Sequence, residues 1–269
     1  MKKSLIVFLV LAVCSASVFA GGNQESASGD NSLEYIKEKG VFVLGLDDSF
    51  PPMGFRDENG EITGFDIDLA KEVCKRMGVE LKLQPIDWDA KILDLNSKDI
   101  DVIWNGLSIN PERKEKIEFS KAYIANRQII IVQAGSAIDS KADLAAKTVG
   151  VQLGSTADDA VNNDADTMAS LDELVKFQDN VQALMDLEVG RIDAVVVDEI
   201  LGRYYISKKE GVFGVASESF TEEEYGIGFR KGELAFVAEV DRIIDEMVKD
   251  GAAAAISNKW FAEDILLPR

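Results

Sequence analysis

The sequence predicts an α/β protein built on mainly parallel sheets. Short β-branched runs alternate with amphipathic stretches from residue 33 onward, which is the order that β-α-β units produce. The chain has 269 residues, 46% of them hydrophobic and 29% charged, so it can bury one large core or two modest ones. The predicted strands span residues 41–46, 80–83, 102–104, 128–132, 148–151, 194–197 and 226–229.

Four helices are predicted from apolar residues spaced three and four positions apart. Residues 65–77 and 180–189 each carry one such stripe, as expected for a helix that packs on a sheet. Residues 234–249 and 252–261 follow, separated by Gly251 at a position typical of a helix C-cap. The chain therefore alternates between strands and helices up to its last residues.

The composition excludes several function classes. Lys and Arg number 29 against 48 Asp and Glu, and the net charge of −19 repels a polyanion, so we expect no nucleic-acid partner. The sequence has no histidine, which excludes Ser-His-Asp triads, Cys-His dyads and His-ligated zinc sites. We expect no catalytic residue, no metal and no cofactor.

The N-terminus resembles an export signal. Lys2 and Lys3 precede a short apolar run at residues 5–13, and residues 18–20 provide small side chains before a cleavage point. We therefore expect residues 1–20 to be a signal peptide. The chain would then reach the periplasm or the cell surface.

A lipid anchor is the alternative to simple cleavage. Cys14 follows Leu-Ala-Val, which resembles a lipobox, although the valine departs from the usual small residue. We favour cleavage after Ala20 over lipidation of Cys14. Residues 21–32 are rich in Gly, Ser, Asn and Asp and predict a flexible leader.

The carboxyl ends of the predicted strands carry residues suited to binding. Ligands of parallel sheets bind at these ends. The segments that follow four of the strands read DDSFPP, NGLS, QLGST and DE in chain order. They combine acids, hydroxyls, amides and an aromatic ring at one predicted edge.

One segment in particular carries a family resemblance. Residues 64–70 read GFDIDLA and, with the helix that follows, resemble the signature of the family 3 solute-binding proteins, which bind amino acids outside the cell for ABC importers. Other segments before and after it appear in the family's order over essentially the whole mature chain. They read VLGLDDSFPPMGF, NGLSINPERKEKIEFSKAY, VGVQLGST, IDAVVVDE and EEYGIGFRKG.

The resemblance implies a two-lobed periplasmic-binding-protein fold. Each lobe is then a mostly parallel sheet flanked by helices, and two crossing strands, near residues 125–129 and 222–225, join the lobes. Lobe 1 is expected to be discontinuous, with residues 33–126 and 222–269. Lobe 2 is expected to span residues 127–221, and the ligand to lie between the lobes.

The family's motif positions also imply the residues that hold an amino acid. The α-carboxylate is assigned to Arg113, whose planar fork suits it, and to the hydroxyl and backbone N–H groups of Ser155 and Thr156 at a helix start. Burying either pole of a zwitterion without a partner costs several kcal/mol or more, so both poles need such groups.

The ammonium group is assigned to Asp198, with the carbonyl of Gly106 and the hydroxyl of Ser108. Arg113 and Ser108 belong to the first lobe, whereas Asp198 belongs to the second, as do Ser155 and Thr156. The ligand itself would therefore bridge the cleft, and binding and closure would be one event.

The ligand side chain is assigned to the aromatic rings of Phe50 and Trp88, with Asp47 and Gln152 as polar contacts. Asp47, with Asp48 or Asp89 as further candidates, favours a polar or cationic side chain over an acidic one, as does the negative charge of the chain.

The residues leave other ligands and functions open. A neutral polar amino acid such as glutamine or cystine is an alternative ligand. A cyclohexadienyl-dehydratase-like enzyme on the same fold would need a general acid with a raised pKa, and nothing in the sequence singles one out. A ligand-sensing protein that docks on a membrane receptor is the other alternative. We expect a monomer that delivers its amino acid to the membrane subunits of an ABC importer.

The acid-rich segment at residues 221–224 is interpreted as solvated surface, the usual place for a run of like charges.

Overall fold

The computed structural model describes residues 29–269 of the chain. The expected signal peptide, the lipobox-like Cys14 and most of the expected leader lie outside the described residues. Within residues 29–269, no helix has the length and apolar character needed to cross a membrane.

Thirteen strands and ten α-helices make up the described part of the chain. The strands are β1 (Val41–Leu46), β2 (Ser49–Phe50), β3 (Gly54–Arg56), β4 (Ile62–Thr63), β5 (Glu80–Pro85), β6 (Val102–Ile103), β7 (Ile117–Phe119), β8 (Ile124–Gln133), β9 (Thr148–Gln152), β10 (Glu173–Phe177), β11 (Ala194–Asp198), β12 (Phe213–Tyr225) and β13 (Gly228–Arg230). The helices are α1 (Ser32–Lys39), α2 (Phe65–Met77), α3 (Lys91–Asn96), α4 (Pro111–Lys116), α5 (Thr156–Asn163), α6 (Ala165–Ser170), α7 (Asn180–Glu188), α8 (Glu199–Lys208), α9 (Leu234–Asp250) and α10 (Ala252–Phe261).

Two five-stranded sheets with the same plan form the two lobes. The first has the order β5-β1-β6-β13-β7 and the second β10-β9-β11-β8-β12. Three strands on one side of each sheet are parallel, and the other two pair antiparallel. The predicted two-lobed α/β fold is therefore confirmed, with antiparallel strands added to each parallel set.

The chain passes between the sheets twice. It leaves the first sheet at β7 and enters the second at β8, and it returns from β12 to β13. β8 and β12 pair antiparallel, with Glu222 opposite Arg127 and Tyr225 opposite Ile124. The boundaries that we predicted, after residues 126 and 221, fall within this pairing and stay a prediction.

Both faces of the first sheet are buried, which explains its continuous apolar strand. Along β1, Phe42 and Leu44 belong to the cluster that also contains residues of α2 and α9. Val43 lies on the other face, in a cluster with Trp88 and Leu95. Strands covered on both faces have this composition in α/β proteins.

Several predicted bounds are confirmed. β1, α2 and α10 begin and end where the sequence predicts. The apolar pattern predicted neither β10 nor β12, because their sequences lack a continuous apolar run, although the resemblance implied a crossing strand near residues 222–225. β12 instead reads FGVASESFTEEEY and is held largely by its pairing with β8.

Gly64 begins the GFDIDLA segment, and its backbone has a φ of 146°. A Cβ built there would lie 2.2 Å from the carbonyl oxygen of Met53 and 2.8 Å from the Cα of Gly54. Real Cβ atoms do not approach backbone so closely, so the start of α2 requires glycine.

We predict that Gly64→Ala destabilises the protein by about 3 kcal/mol or more, because strain and a backbone clash add together. Gly60→Ala is the matched control. Gly60 also has a positive φ, of 83°, but nothing lies within 4 Å of a Cβ built there. The control should lose only about 1–2 kcal/mol. Urea unfolding monitored by circular dichroism measures both, and equal losses would contradict this explanation of Gly64.

Candidate functional site

The structure buries all ten of the residues that the sequence places in a binding site. They lie at the carboxyl ends of strands in the two sheets, or in the loops, first helical turns and short strand that follow. These residues are Asp47, Phe50, Trp88, Gly106, Ser108, Arg113, Gln152, Ser155, Thr156 and Asp198.

Arg113 is a buried cation held between the two lobes. The side chain of Asn110 caps α4 by accepting a hydrogen bond from the Arg113 backbone N–H at 2.7 Å. The guanidinium donates to the carbonyl of Ser108 at 2.9 Å and, across the cleft, to that of Gly154 at 3.3 Å. It forms no salt bridge with an acid of residues 29–269, and burial lowers its pKa. A buried guanidinium with carbonyl partners suits an incoming carboxylate.

Asp198 is the corresponding buried anion, at the end of β11. Its carboxylate accepts hydrogen bonds from Asn126 Nδ2 at 2.6 Å and from the Tyr225 hydroxyl at 2.8 Å. Burial, and then the charge of Glu223, raise the pKa of Asp198 to about 7. Among the described residues it forms no salt bridge with Lys or Arg. The ammonium of a ligand would supply the missing positive charge.

Asp47 provides a second buried carboxylate, near the other end of the cleft. One oxygen accepts from the backbone N–H and hydroxyl of Ser49, at 2.9 and 2.6 Å. The other accepts from Gln152 Nε2 at 2.7 Å, which joins the lobes. Gln152 Oε1 in turn accepts from Asn180 Nδ2 at 2.9 Å. Burial raises the pKa of Asp47, whose partners in this part of the chain are all neutral.

The other two candidate acids lie outside the site. Asp48 forms a salt bridge with Arg56 at 2.6 Å, and the Arg56 side chain is half exposed. Asp89 is exposed. Asp47 is therefore the acid that the structure places among the buried candidates, and neither Asp48 nor Asp89 joins it there.

The GFDIDLA segment supports the site from beneath through Asp66. Its carboxylate accepts from the Gly106 backbone N–H at 2.8 Å and from the Tyr123 hydroxyl at 2.9 Å. Gly106 itself packs so closely on Phe50 that a Cβ would lie 2.9 Å from the ring. Asp66 thus fixes the loop whose carbonyl and serine were assigned to the ligand.

The helix start at residues 155 and 156 has its own cap. Ser155 Oγ accepts from the backbone N–H of Asp158 at 3.1 Å, as expected of an N-cap residue. The Thr156 hydroxyl lies 3.2 Å from Ser108 Oγ, on the opposite lobe. The backbone N–H groups of the first turn are therefore the groups of α5 best placed for a carboxylate.

Sequence reasoning missed Lys91, which is buried beside the cleft. Its ammonium donates to the carbonyl of Trp88 at 2.8 Å and, across the lobes, to that of Gly154 at 2.9 Å. It also lies 4.9 Å from the centre of the Trp88 ring. Burial, and then the charge of Arg113, lower its pKa to about 7. Nothing in the sequence around Lys91 predicts that its side chain is buried, because a lysine at the start of a short helix is usually exposed.

The interpretation of residues 221–224 as solvated surface is wrong for one of them. Glu222 and Glu224 are exposed, but Glu223 is only partly so. Its carboxylate accepts from the hydroxyl of Ser108 at 2.6 Å. Side chains alternate between the two faces of a strand. Recognising these residues as part of β12 would therefore have placed Glu223 on the face opposite to Glu222 and Glu224.

Comparison with known proteins identifies the family. Residues 42–263 match the model of the bacterial extracellular solute-binding proteins, family 3. The chain belongs to this family. The L-cystine-binding protein TcyJ of Escherichia coli K12 is 33% identical over 258 residues, which cover 95% of this chain and 96% of TcyJ.

Solved structures of related proteins have the same fold. An ABC uptake transporter substrate-binding protein of Streptococcus pneumoniae with bound histidine is 33% identical, with a TM-score of 0.86 over 90% of this chain and all of that one. An ancestral arginine-binding protein bound to arginine is 40% identical, with a TM-score of 0.78 over 82% of this chain and 98% of that one. An ancestral amino-acid-binding protein described as a precursor of cyclohexadienyl dehydratase is 35% identical, with a TM-score of 0.79 over 86% of this chain and 99% of that one.

In this family 3 protein, Gly154 is a point of direct contact between the lobes. Its φ is 70°, and its carbonyl accepts from both Lys91 and Arg113. A Cβ built on Gly154 would lie 3.0 Å from the Cα of Asp89, which belongs to the other lobe. A side chain at this position would require the backbone near Asp89 to give way by a few tenths of an ångström.

We predict that Gly154→Ala weakens binding of whichever amino acid most stabilises the wild-type protein, because the closed form is strained. Gly135→Ala is the matched control, since Gly135 has a φ of 80° and open space around its Cβ position. Calorimetry should show a loss of about tenfold or more for Gly154→Ala alone. Equal affinities for the two variants would show that closure does not depend on this contact.

Proposed function

We propose that this protein captures an L-amino acid with a cationic side chain between its lobes and delivers it to the membrane subunits of an ABC importer. One observation carries the proposal: Arg113, Asp198 and Asp47 are buried charges that form no salt bridge within residues 29–269. Buried charges of this kind are costly unless a partner neutralises them.

The three charges complement the three charges of such a ligand. Arg113 pairs with the α-carboxylate, supported by the first backbone N–H groups of α5. Asp198 pairs with the α-ammonium, beside the Gly106 carbonyl and the Ser108 hydroxyl. Asp47 is left for the side chain. The binding of one molecule would neutralise all three groups together.

The side-chain end of the cleft favours a cation over its alternatives. Asp47, Gln152 and Asn180 offer a carboxylate and two amides there. An acidic side chain would meet the Asp47 carboxylate, and cystine would bring a second carboxylate to this end together with its distal ammonium. Glutamine would satisfy the amides but leave the Asp47 charge without a partner. The rings of Phe50 and Trp88 suit a long side chain or a flat guanidinium group.

The delivery step rests on the family. The relatives are named as amino-acid-binding proteins, and membership in an extracellular solute-binding family accords with the signal peptide expected at residues 1–20. We infer that the mature chain acts as a monomer, because each ligand contact comes from one of its own two lobes. Cleavage after Ala20 remains preferred over a lipid anchor at Cys14.

An enzyme is the second candidate, because Asp198 has the raised pKa that a general acid needs. A bound α-ammonium would lower that pKa again, so Asp198 would be ionised in the complex and unable to donate a proton. A capture protein must therefore release its amino acid unchanged. Mass spectrometry of L-arginine after long incubation tests this, and a dehydrated or otherwise altered product would favour the enzyme.

We predict that Arg113→Ala and Asp198→Ala each weaken L-arginine binding by about 2–5 kcal/mol, because each leaves one pole of the ligand unpaired. Titration calorimetry measures the loss, and circular dichroism checks that the variants fold. Arg242→Ala is the control, since Arg242 is half exposed on α9 and pairs with Glu239. Near-native affinity in a folded Arg113 or Asp198 variant would remove that residue from the site.

We predict that Asp47→Asn selectively weakens the binding of cationic ligands. The loss of a charge-assisted hydrogen bond should cost L-arginine about 1.5–3 kcal/mol, while L-glutamine should bind at least as well as before. Asp48→Asn, which alters the neighbouring acid paired with Arg56, should leave the ratio of the two affinities unchanged. A ratio that does not move in Asp47→Asn would contradict a cationic ligand.

A further inference from the structure

Glu223 collects hydrogen bonds from both lobes while lying on β12, one of the strands that join them. The donors to its Oε2 atom are Ser108 Oγ at 2.6 Å, Thr156 Oγ1 at 3.0 Å, Gln128 Nε2 at 3.1 Å and Asn126 Nδ2 at 3.4 Å. Ser108 belongs to the first lobe, Thr156 and Gln128 belong to the second, and Asn126 lies on β8 at the predicted boundary between them. This carboxylate is therefore built into the cleft.

These contacts fix the direction of two hydroxyl groups. A hydroxyl has one proton to donate, and that of Ser108 is directed to Glu223 at the short distance of 2.6 Å. Thr156 accepts from Gln128 at 3.1 Å, and its own proton can point to Glu223 Oε2 at 3.0 Å or to Ser108 Oγ at 3.2 Å. The lone pairs of Ser108 then remain for another donor. A hydroxyl oxygen held in this way accepts from an ammonium and cannot donate to a carboxylate.

Glu223 also shares its surroundings with Asp198. The amide of Asn126 donates to both carboxylates, at 2.6 Å to Asp198 and 3.4 Å to Glu223. The groups that face Asp198 are Glu223 and the Tyr225 hydroxyl from β12, the amides of Asn126 and Gln128 from β8, and the more distant charge of Arg113 from α4. Two negative charges thus lie at one end of the cleft.

We propose that Glu223 is a positioning residue for the ligand's α-ammonium: it accepts hydrogen bonds from the hydroxyls of Ser108 and Thr156, leaves their oxygens to act as acceptors, and adds its charge to that of Asp198. This assignment rests on the proposed function. This role would involve β12 directly in recognition, because the Glu223 carboxylate contacts both lobes and the hydroxyls of Ser108 and Thr156.

The proposal is tested by titrating L-arginine into wild-type protein, Glu223→Gln and Glu222→Gln by calorimetry between pH 5 and pH 9. Glu222 is the exposed neighbour on the same strand. The wild-type affinity should fall as the pH drops below about 7, because Asp198 must be ionised to bind an ammonium. Removing the Glu223 charge should lower the pKa of Asp198 and move this midpoint to lower pH.

Glu223→Gln should also bind L-arginine about tenfold or more weakly at pH 8, where Asp198 is ionised in each protein. Glu222→Gln should match the wild type in both affinity and midpoint. A purely structural role for Glu223 would weaken binding without moving the midpoint, and would overturn the proposal. Equal behaviour of the two variants would also overturn it.

Two further measurements keep the outcome decisive. If Glu223→Gln does not fold, Glu223→Asp replaces it, because its shorter side chain keeps the charge but withdraws it from Ser108. Wild-type affinity in that variant would overturn the proposal. If the wild-type protein binds none of the twenty amino acids, the proposed function fails and this assignment with it. Binding by the wild type with no change in the Glu223 variants would refute the assignment alone.

Discussion

The structure depends on one constraint, which is that a buried charge must be neutralised. Arg113 and Asp198 are buried between the two lobes, and neither forms a salt bridge within residues 29–269. Either group alone would destabilise the closed arrangement of the lobes, since desolvation of an unpaired ion costs several kcal/mol. In the proposed function, a zwitterion would supply both missing charges at once. Recognition of the ligand and closure of the lobes are then the same thermodynamic event, and closed protein without ligand is penalised.

The architecture serves this constraint by bringing strand ends from two sheets to one place. Asp47 follows β1 of the first sheet, whereas Asp198 ends β11 of the second. Asp66 fixes the Gly106 loop through a backbone hydrogen bond, so the family's signature segment acts through support of the site. Gly154 lets the backbones of the lobes meet, which brings the Arg113 guanidinium within 3.3 Å of its carbonyl. Rigid lobes and a few close contacts thus determine the shape of the cleft.

Much of the fold was predictable, because apolar periodicity marks buried elements directly. β1 and α2 have the predicted bounds, since each presents a clear pattern of buried side chains. Apolar periodicity did not mark β12, and only the resemblance implied a strand near residues 222–225, because β12 is held by pairing with β8, which a local pattern does not contain. Glu223 was interpreted as solvated surface for the same reason. The run of acids was interpreted as uniformly solvated. In a strand, however, successive side chains point to opposite faces, so the acids do not share one environment.

The candidate site was predictable where a motif fixed the residues, and less so where distant segments meet. All ten candidates are buried, but Lys91 and Glu223 entered only through contacts across the lobes. Small-angle scattering with and without L-arginine tests the central claim most directly, with L-glutamate as the comparison ligand. We expect L-arginine to reduce the radius of gyration as the lobes close, and L-glutamate to leave it unchanged. A radius that stays the same at saturating L-arginine would contradict the account.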